Sequence, residues 1–216
     1  MRIEVAVTSD FICPWCLIGE RRLRKAISTL PGETEVSLAF RPFELNPDMP
    51  PEGWDRKSYR VAKFGSLARS EALDARIMEI GRAEGIAFDY GRITRTPSTF
   101  AAHRLMWLAE REGDPERLAD FLFAAYFADG RDIGDRAVLA SLAVASGLAR
   151  ARVEAFLDGE EGAGEVRALE IEAHGAGVSG VPCFEIGDVR VVGAQSPAIL
   201  AEALRRAAGT GTASAA

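Results

Sequence analysis

Two thiols separated by two residues, with a proline directly after the first, form the array in this chain best suited to covalent chemistry: Cys13-Pro14-Trp15-Cys16. One helical turn apart, such cysteines can close a disulfide, and a thiolate can reopen it through a mixed disulfide. The spacing points to dithiol–disulfide exchange. Cys13, at the exposed end, is the expected nucleophile, and Cys16, one turn inside, the expected resolving thiol. Pro14 suits a first helical turn, where its missing N–H has no partner to lose. Trp15 is expected to lie over the site as an apolar platform for substrate. Two plainer readings compete. A zinc half-site needs two more ligands, but the other soft donors are Cys183, His103 and His174, with no second closely spaced pair. The alternative is a purely structural disulfide. No metal is expected.

The flanking pattern says what must position these thiols. Ile3 to Thr8 is apolar and β-rich, and a helix is predicted from Pro14 to Leu30, ended by Pro31-Gly32. Its first turn aims unpaired N–H groups at Cys13, which favours a thiolate there. Val36, Leu38 and Phe40 alternate with Glu35, Ser37 and Ala39 as a second strand, and Arg41 to Gly53 holds four prolines and reads as loop. From Trp54 to Gly175 nearly every segment has helical signals, including the cap-and-proline start Asp114-Pro115. Two short β-rich runs, 182–186 and 189–192, then flank the turn dipeptide Gly187-Asp188, and Ser196-Pro197 opens a last helix to Ala208. The predicted architecture is α/β: β-α-β, then β-β-α, interrupted by an all-helical insertion. The expected domains are residues 1–53 with 176–208, a helical insertion over 54–175, and a disordered tail at 209–216.

Composition narrows the class. The 216 residues carry net charge -6 with 48% hydrophobic residues, an ordinary globular balance. A nucleic-acid binder would show the opposite sign. Met1-Arg2 runs straight into a strand-like segment with no apolar leader, so the expected compartment is the cytoplasm, with no membrane partner. There, cysteine is more often catalytic or metal-binding than structural.

On the stretches Ser9-Asp10-Phe11-Ile12-Cys13-Pro14-Trp15-Cys16, Arg41-Pro42-Phe43-Glu44-Leu45-Asn46-Pro47, Thr94-Arg95-Thr96-Pro97, His103-Arg104, Gly130-Arg131-Asp132-Ile133, Gly177-Val178-Ser179-Gly180-Val181-Pro182 and Gly193-Ala194-Gln195, the chain resembles a thioredoxin fold of the DsbA type. More narrowly, it resembles the cytoplasmic FrnE-like branch, related to the 2-hydroxychromene-2-carboxylate isomerases. The resemblance covers about residues 3 to 208. It implies a cis bond at Val181-Pro182, facing the cysteines, where the Val181 backbone pairs with substrate as an added strand. It also implies protein or small-molecule thiols and disulfides as partners, no bound cofactor beyond the redox-active Cys13–Cys16 pair, glutathione as a co-substrate, and a monomer or homodimer. Cys183 departs from the bulky apolar residue usual after this proline. It reads as a small buried hydrophobe, a further redox partner or an exposed thiol. Asp10 and His103 are cleft candidates: Asp10 for proton transfer or simply for the turn, His103 for tuning the thiolate or as a satisfied core histidine.

Three functions compete. The first is a thiol–disulfide oxidoreductase or disulfide isomerase. The second is a glutathione-dependent isomerase of the 2-hydroxychromene-2-carboxylate or polyketide type, in which a serine typically stands at the Cys13 position and a second cysteine is not needed. The third is a chaperone-like binding module, which would survive loss of both cysteines.

Overall fold

The computed structural model describes residues 2–213. They fall into two compact units, one of residues 2–43 with 169–213 and one of 44–168. The first carries the cysteine pair. Strand β1 (Arg2–Ser9) and strand β2 (Glu35–Pro42) run parallel, joined by helix α1 (Pro14–Ile27). β1 also pairs antiparallel with β5 (Cys183–Ile186), and β5 with β6 (Val189–Val192), giving the order β2-β1-β5-β6. A parallel pair needs a crossover, and α1 supplies it. Central β1 buries Ile3, Val5 and Val7, and its partner β5 buries Phe184 and Ile186. Gly187 adopts φ 60° in the turn between β5 and β6, a conformation glycine tolerates where other residues strain. The Val181–Pro182 peptide bond is cis. Helix α9 (Pro197–Ala213) packs on α1 and the sheet. It runs five residues beyond the expected end at Ala208, through Gly209 and Gly211; residues 214–216 of the expected disordered tail lie outside the described residues.

The second unit is helical, with one two-residue ladder: β3 (Trp54–Asp55) against β4 (Arg95–Thr96). Its helices are α2 (Arg56–Phe64), α3 (Leu67–Ala83), α4 (Phe100–Glu112), α5 (Pro115–Phe127), α6 (Arg136–Ala145) and α7 (Arg150–Asp158). Side-chain caps start several of them: Asp55, Ser66, Asp114 and Asp135 each accept a hydrogen bond from the backbone N–H three residues on. Leu105, Leu108, Leu118, Leu122, Phe123, Phe127 and Phe156 fill its core.

The boundaries between units fall earlier than 53/54 and 175/176. The proline-rich loop is tied into the helical unit: Asn46 accepts from the Tyr59 hydroxyl at 2.6 Å, the Gly53 carbonyl accepts from Arg95 at 3.1 Å, and buried Glu44 pairs with Arg167. Helix α8 (Ala163–Gly175) carries Arg167 in one unit and, in the other, His174, whose ring lies 5.1 Å from that of Phe43. No helix among the described residues is long and apolar enough to cross a membrane.

Candidate active site

The turn between β1 and α1 sets the two sulfurs. Cys13 is the N-cap of α1, with extended backbone (φ -90°, ψ 111°), and Pro14 follows at the first helical position. The Cys13 N–H donates to the Asp10 carbonyl at 3.0 Å, and the Cys13 carbonyl accepts from the N–H groups of Cys16 at 3.0 Å and Leu17 at 3.4 Å. The Cys13 side chain makes no capping hydrogen bond. It faces the Val181 carbonyl, with Sγ to O at 3.9 Å. Pro182 is buried beside it in the chain and Val181 half-buried.

This contact corrects one expectation. Cys13 is not the open end of the pair: it is 4% exposed against 2% for Cys16, because the Val181–Pro182 backbone lies against its sulfur. The asymmetry lies in the surroundings instead. Cys16 is enclosed, and burial, followed by the hydrogen bond and charge of Cys13, pushes its thiol well above the usual range. The Asp10 N–H, 3.5 Å from Cys16 Sγ, and the Ser9 side chain pull the other way. All three cysteines are free thiols.

Trp15 is 38% exposed beside the pair. Asp10 is fully buried. It acts here through its backbone, and its carboxylate accepts weakly from the Ile12 N–H at 3.4 Å, closing the turn. His103 is buried on α4, in the helical unit. The neighbouring Arg104 is structural, since its guanidinium donates to the carbonyls of Phe156, Gly159 and Glu161 and so closes the C-terminal end of α7. Cys183 is fully buried, paired across the sheet with Thr8, and burial pushes its thiol up. Among the described residues no group of three or more His, Cys, Asp or Glu side chains converges on a point that would hold a metal.

Two contributors were not singled out from sequence. Ser9 sits at the strand end, next to Cys16. Gly19 lets α1 approach the proline: a Cβ there would stand 2.8 Å from Pro182 Cγ and 3.1 Å from Phe184 Cζ. A lone glycine inside a helical pattern was the available signal.

This arrangement, a strand leading into a helix that opens on a cysteine pair opposite a cis-proline, coincides with a sequence match. The profile of the DSBA-like thioredoxin domain covers residues 4–205. The chain belongs to the DSBA-like thioredoxin domain family. Its fold is similar to the crystal structure of a probable DsbA oxidoreductase from Streptomyces coelicolor, with TM-score 0.86 and 35% identity over 96% of this chain and 90% of that one. It is also similar to 2-hydroxychromene-2-carboxylate isomerase (TM-score 0.69, 15% identity, 97% of this chain and 98% of that one). A third likeness is to the cytosolic disulfide reductase DsbM from Pseudomonas aeruginosa with GSH (TM-score 0.61, 21% identity, 99% of this chain and 100% of that one). At these identities the last two share the fold alone. Family membership, with the 35% identity to a probable DsbA oxidoreductase, gives the chain an α/β thioredoxin fold with a helical insertion and supports an oxidoreductase role.

Proposed function

We propose that this DsbA-like protein is a thiol–disulfide oxidoreductase and disulfide isomerase working through Cys13 and Cys16. The unequal surroundings of the two sulfurs carry the reading. Cys13 stands at the helix N-terminus against the Val181 carbonyl, whereas Cys16 is enclosed and held protonated. The Cys13 thiolate attacks a substrate disulfide; a Cys13–substrate S–S bond forms, and one substrate sulfur leaves as a thiolate. Cys16 then releases its proton to water and attacks Cys13 Sγ, and the second substrate sulfur leaves as a thiolate. Two electrons pass from the dithiol to the substrate. The reverse sequence oxidises a substrate dithiol, and escape before the second attack reshuffles a wrong disulfide.

Val181 and Pro182 bind the substrate backbone, and Pro14 and Trp15 supply the flanking surface. Two glutathione molecules restore the dithiol, yielding glutathione disulfide; the likeness to a cytosolic reductase solved with GSH supports this co-substrate. The motif pattern supports a place in the cytoplasmic FrnE-like branch.

The likeness to 2-hydroxychromene-2-carboxylate isomerase keeps glutathione-dependent isomerisation as the second reading. Insulin reduction by dithiothreitol and refolding of a scrambled disulfide protein separate the readings. Both rates should exceed those of the Cys13→Ser, Cys16→Ser double variant. If neither does while a glutathione-dependent cis–trans isomerisation proceeds, the isomerase reading replaces ours. If the double variant still prevents aggregation of an unfolded client and no catalysis occurs, the chain is a binding module.

A further inference from the structure

A second feature with the makings of a site lies wholly inside the helical unit. A cavity of about 640 Å³ opens among α2, α3 and the segment 90–94, within the roughly 300–1,000 Å³ typical of small-molecule sites. Its inner wall sets two guanidinium groups on one carboxylate. Arg56 Nη2 donates to Asp74 Oδ2 at 2.9 Å, and Arg60 Nη2 to Asp74 Oδ1 at 2.5 Å. The three side chains are only 12%, 14% and 15% exposed, for Arg56, Arg60 and Asp74 in turn. One half-buried negative charge therefore serves two positive ones. Burial pushes the Arg60 guanidinium below its ordinary value, with like-charged Arg56 adding to the effect against the pull of Asp74.

The donors are unequally used. Arg60 also directs Nε to Ser70 Oγ at 2.6 Å and Nη2 to the Ser70 carbonyl at 3.2 Å. Arg56 Nε and Nη1 donate to no acceptor among the described residues, and its guanidinium lies 5.1 Å from the centroid of the Tyr90 ring. The Tyr90 hydroxyl is itself buried with no hydrogen-bond partner. Burial above all, then Asp74, drives its proton affinity far up, so it remains a donor. A brace between α2 and α3 needs one arginine per aspartate; it does not call for a surplus cation beside an unsatisfied hydroxyl. Leu67, Ala75, Met78 and Ile93 supply apolar lining, while exposed Lys57, Asp55 and Glu71 stand at the rim with one net negative charge.

We propose that this cavity binds a small monoanion, a carboxylate with an apolar body. Arg56 receives the carboxylate, the Tyr90 hydroxyl donates to it, and the apolar lining holds the body. The interior surplus of one positive charge matches a single negative charge, and the acidic rim disfavours a dianion. The site is independent of the cysteine pair.

Benzoate and its neutral analogue benzamide test this on the full chain by calorimetry and thermal shift. Benzoate should bind one-to-one and raise Tm, and benzamide should do neither. Arg56→Gln leaves Arg60 and Asp74 as a balanced pair, so the fold survives while benzoate affinity falls about tenfold or more. Tyr90→Phe, which keeps the ring, should weaken benzoate by several-fold. The Cys13→Ser, Cys16→Ser double variant should bind as the wild type does. Equal responses to benzoate and benzamide, no binding of benzoate at millimolar concentration, or an Arg56→Gln chain that binds undiminished would each overturn the proposal. Tighter binding of inorganic phosphate than of benzoate would overturn the monoanion assignment.

Discussion

Cys13 and Cys16 stand three residues apart, and both are closed from solvent, yet they meet different groups. Cys13 Sγ faces a carbonyl, while Cys16 Sγ receives the Asp10 N–H. Cys16→Ser should therefore accumulate mixed disulfides with substrate, seen as adducts by mass spectrometry after acid quench, and Cys13→Ser should not. Adducts on the Cys13→Ser chain would mean that the roles are reversed. The enclosure of Cys16 also has a pH signature. In the reduced chain the native state holds the Cys16 proton, whereas the unfolded state releases it above about pH 8.5. Stability from this group is thus full below that pH and is lost as pH rises, by up to about 1.4 kcal/mol per pH unit. Urea unfolding of the reduced wild type should fall more steeply between about pH 8.5 and 10 than that of Cys16→Ala. Parallel slopes would show that Cys16 is not held protonated.

Helix α1 reaches the sheet by close approach at Gly19. Gly19→Ala improves helix propensity by about 1 kcal/mol, but the new methyl group must displace the Pro182 ring and the fully buried Phe184. Overpacking of this kind costs about 1–3 kcal/mol, and because the fixed sheet cannot yield, the net change should be destabilising by about 1 kcal/mol, read by urea unfolding. A stabilised variant would show that the strand gives way. On α4, Arg104 closes α7 through the carbonyls of Phe156, Gly159 and Glu161, the first of which also accepts from the Gly159 N–H. Arg104→Ala should cost about 2–4 kcal/mol, and Arg104→Lys should recover little of it because a single ammonium cannot span three acceptors. Full recovery by lysine would reduce the role to charge alone.

At the scale of the molecule, a helix N-terminus favours a thiolate more than a disulfide, which makes the oxidised form of a cysteine pair placed there the stronger oxidant. A helix-terminal interaction of about 0.3–1 kcal/mol, up to about 2, moves a two-electron potential by only some tens of millivolts, since about 30 mV corresponds to 1.4 kcal/mol. No charged residue stands between the cysteines to add to it. The Cys13–Cys16 couple should therefore fall between about -270 mV, the thioredoxin range, and about -120 mV, the range of a strong periplasmic oxidant. Equilibration with glutathione buffers, with free thiols counted by mass, measures it. A value outside that interval would mean that groups other than the helix terminus set the potential.

The cysteine spacing, the strand before it, the proline at the first helical position and the capped helices of the middle segment were legible from sequence, because each depends on neighbours within one turn or one strand. The pairing of Trp54 with Thr96 and the placing of the proline-rich loop in the helical unit through Glu44, Asn46 and Gly53 were not, since each is made by partners more than ten residues away. The same holds at the sulfurs. Local pattern placed Cys13 at a helix start, but only the strand returning some 170 residues later brought the Val181 carbonyl against it. Sequence alone thus determined which atoms are able to react. The tertiary structure decided that both thiols are buried, which groups each of them meets, and that Arg56, Arg60 and Asp74 line one cavity, because burial and close approach are properties of segments that meet only on folding.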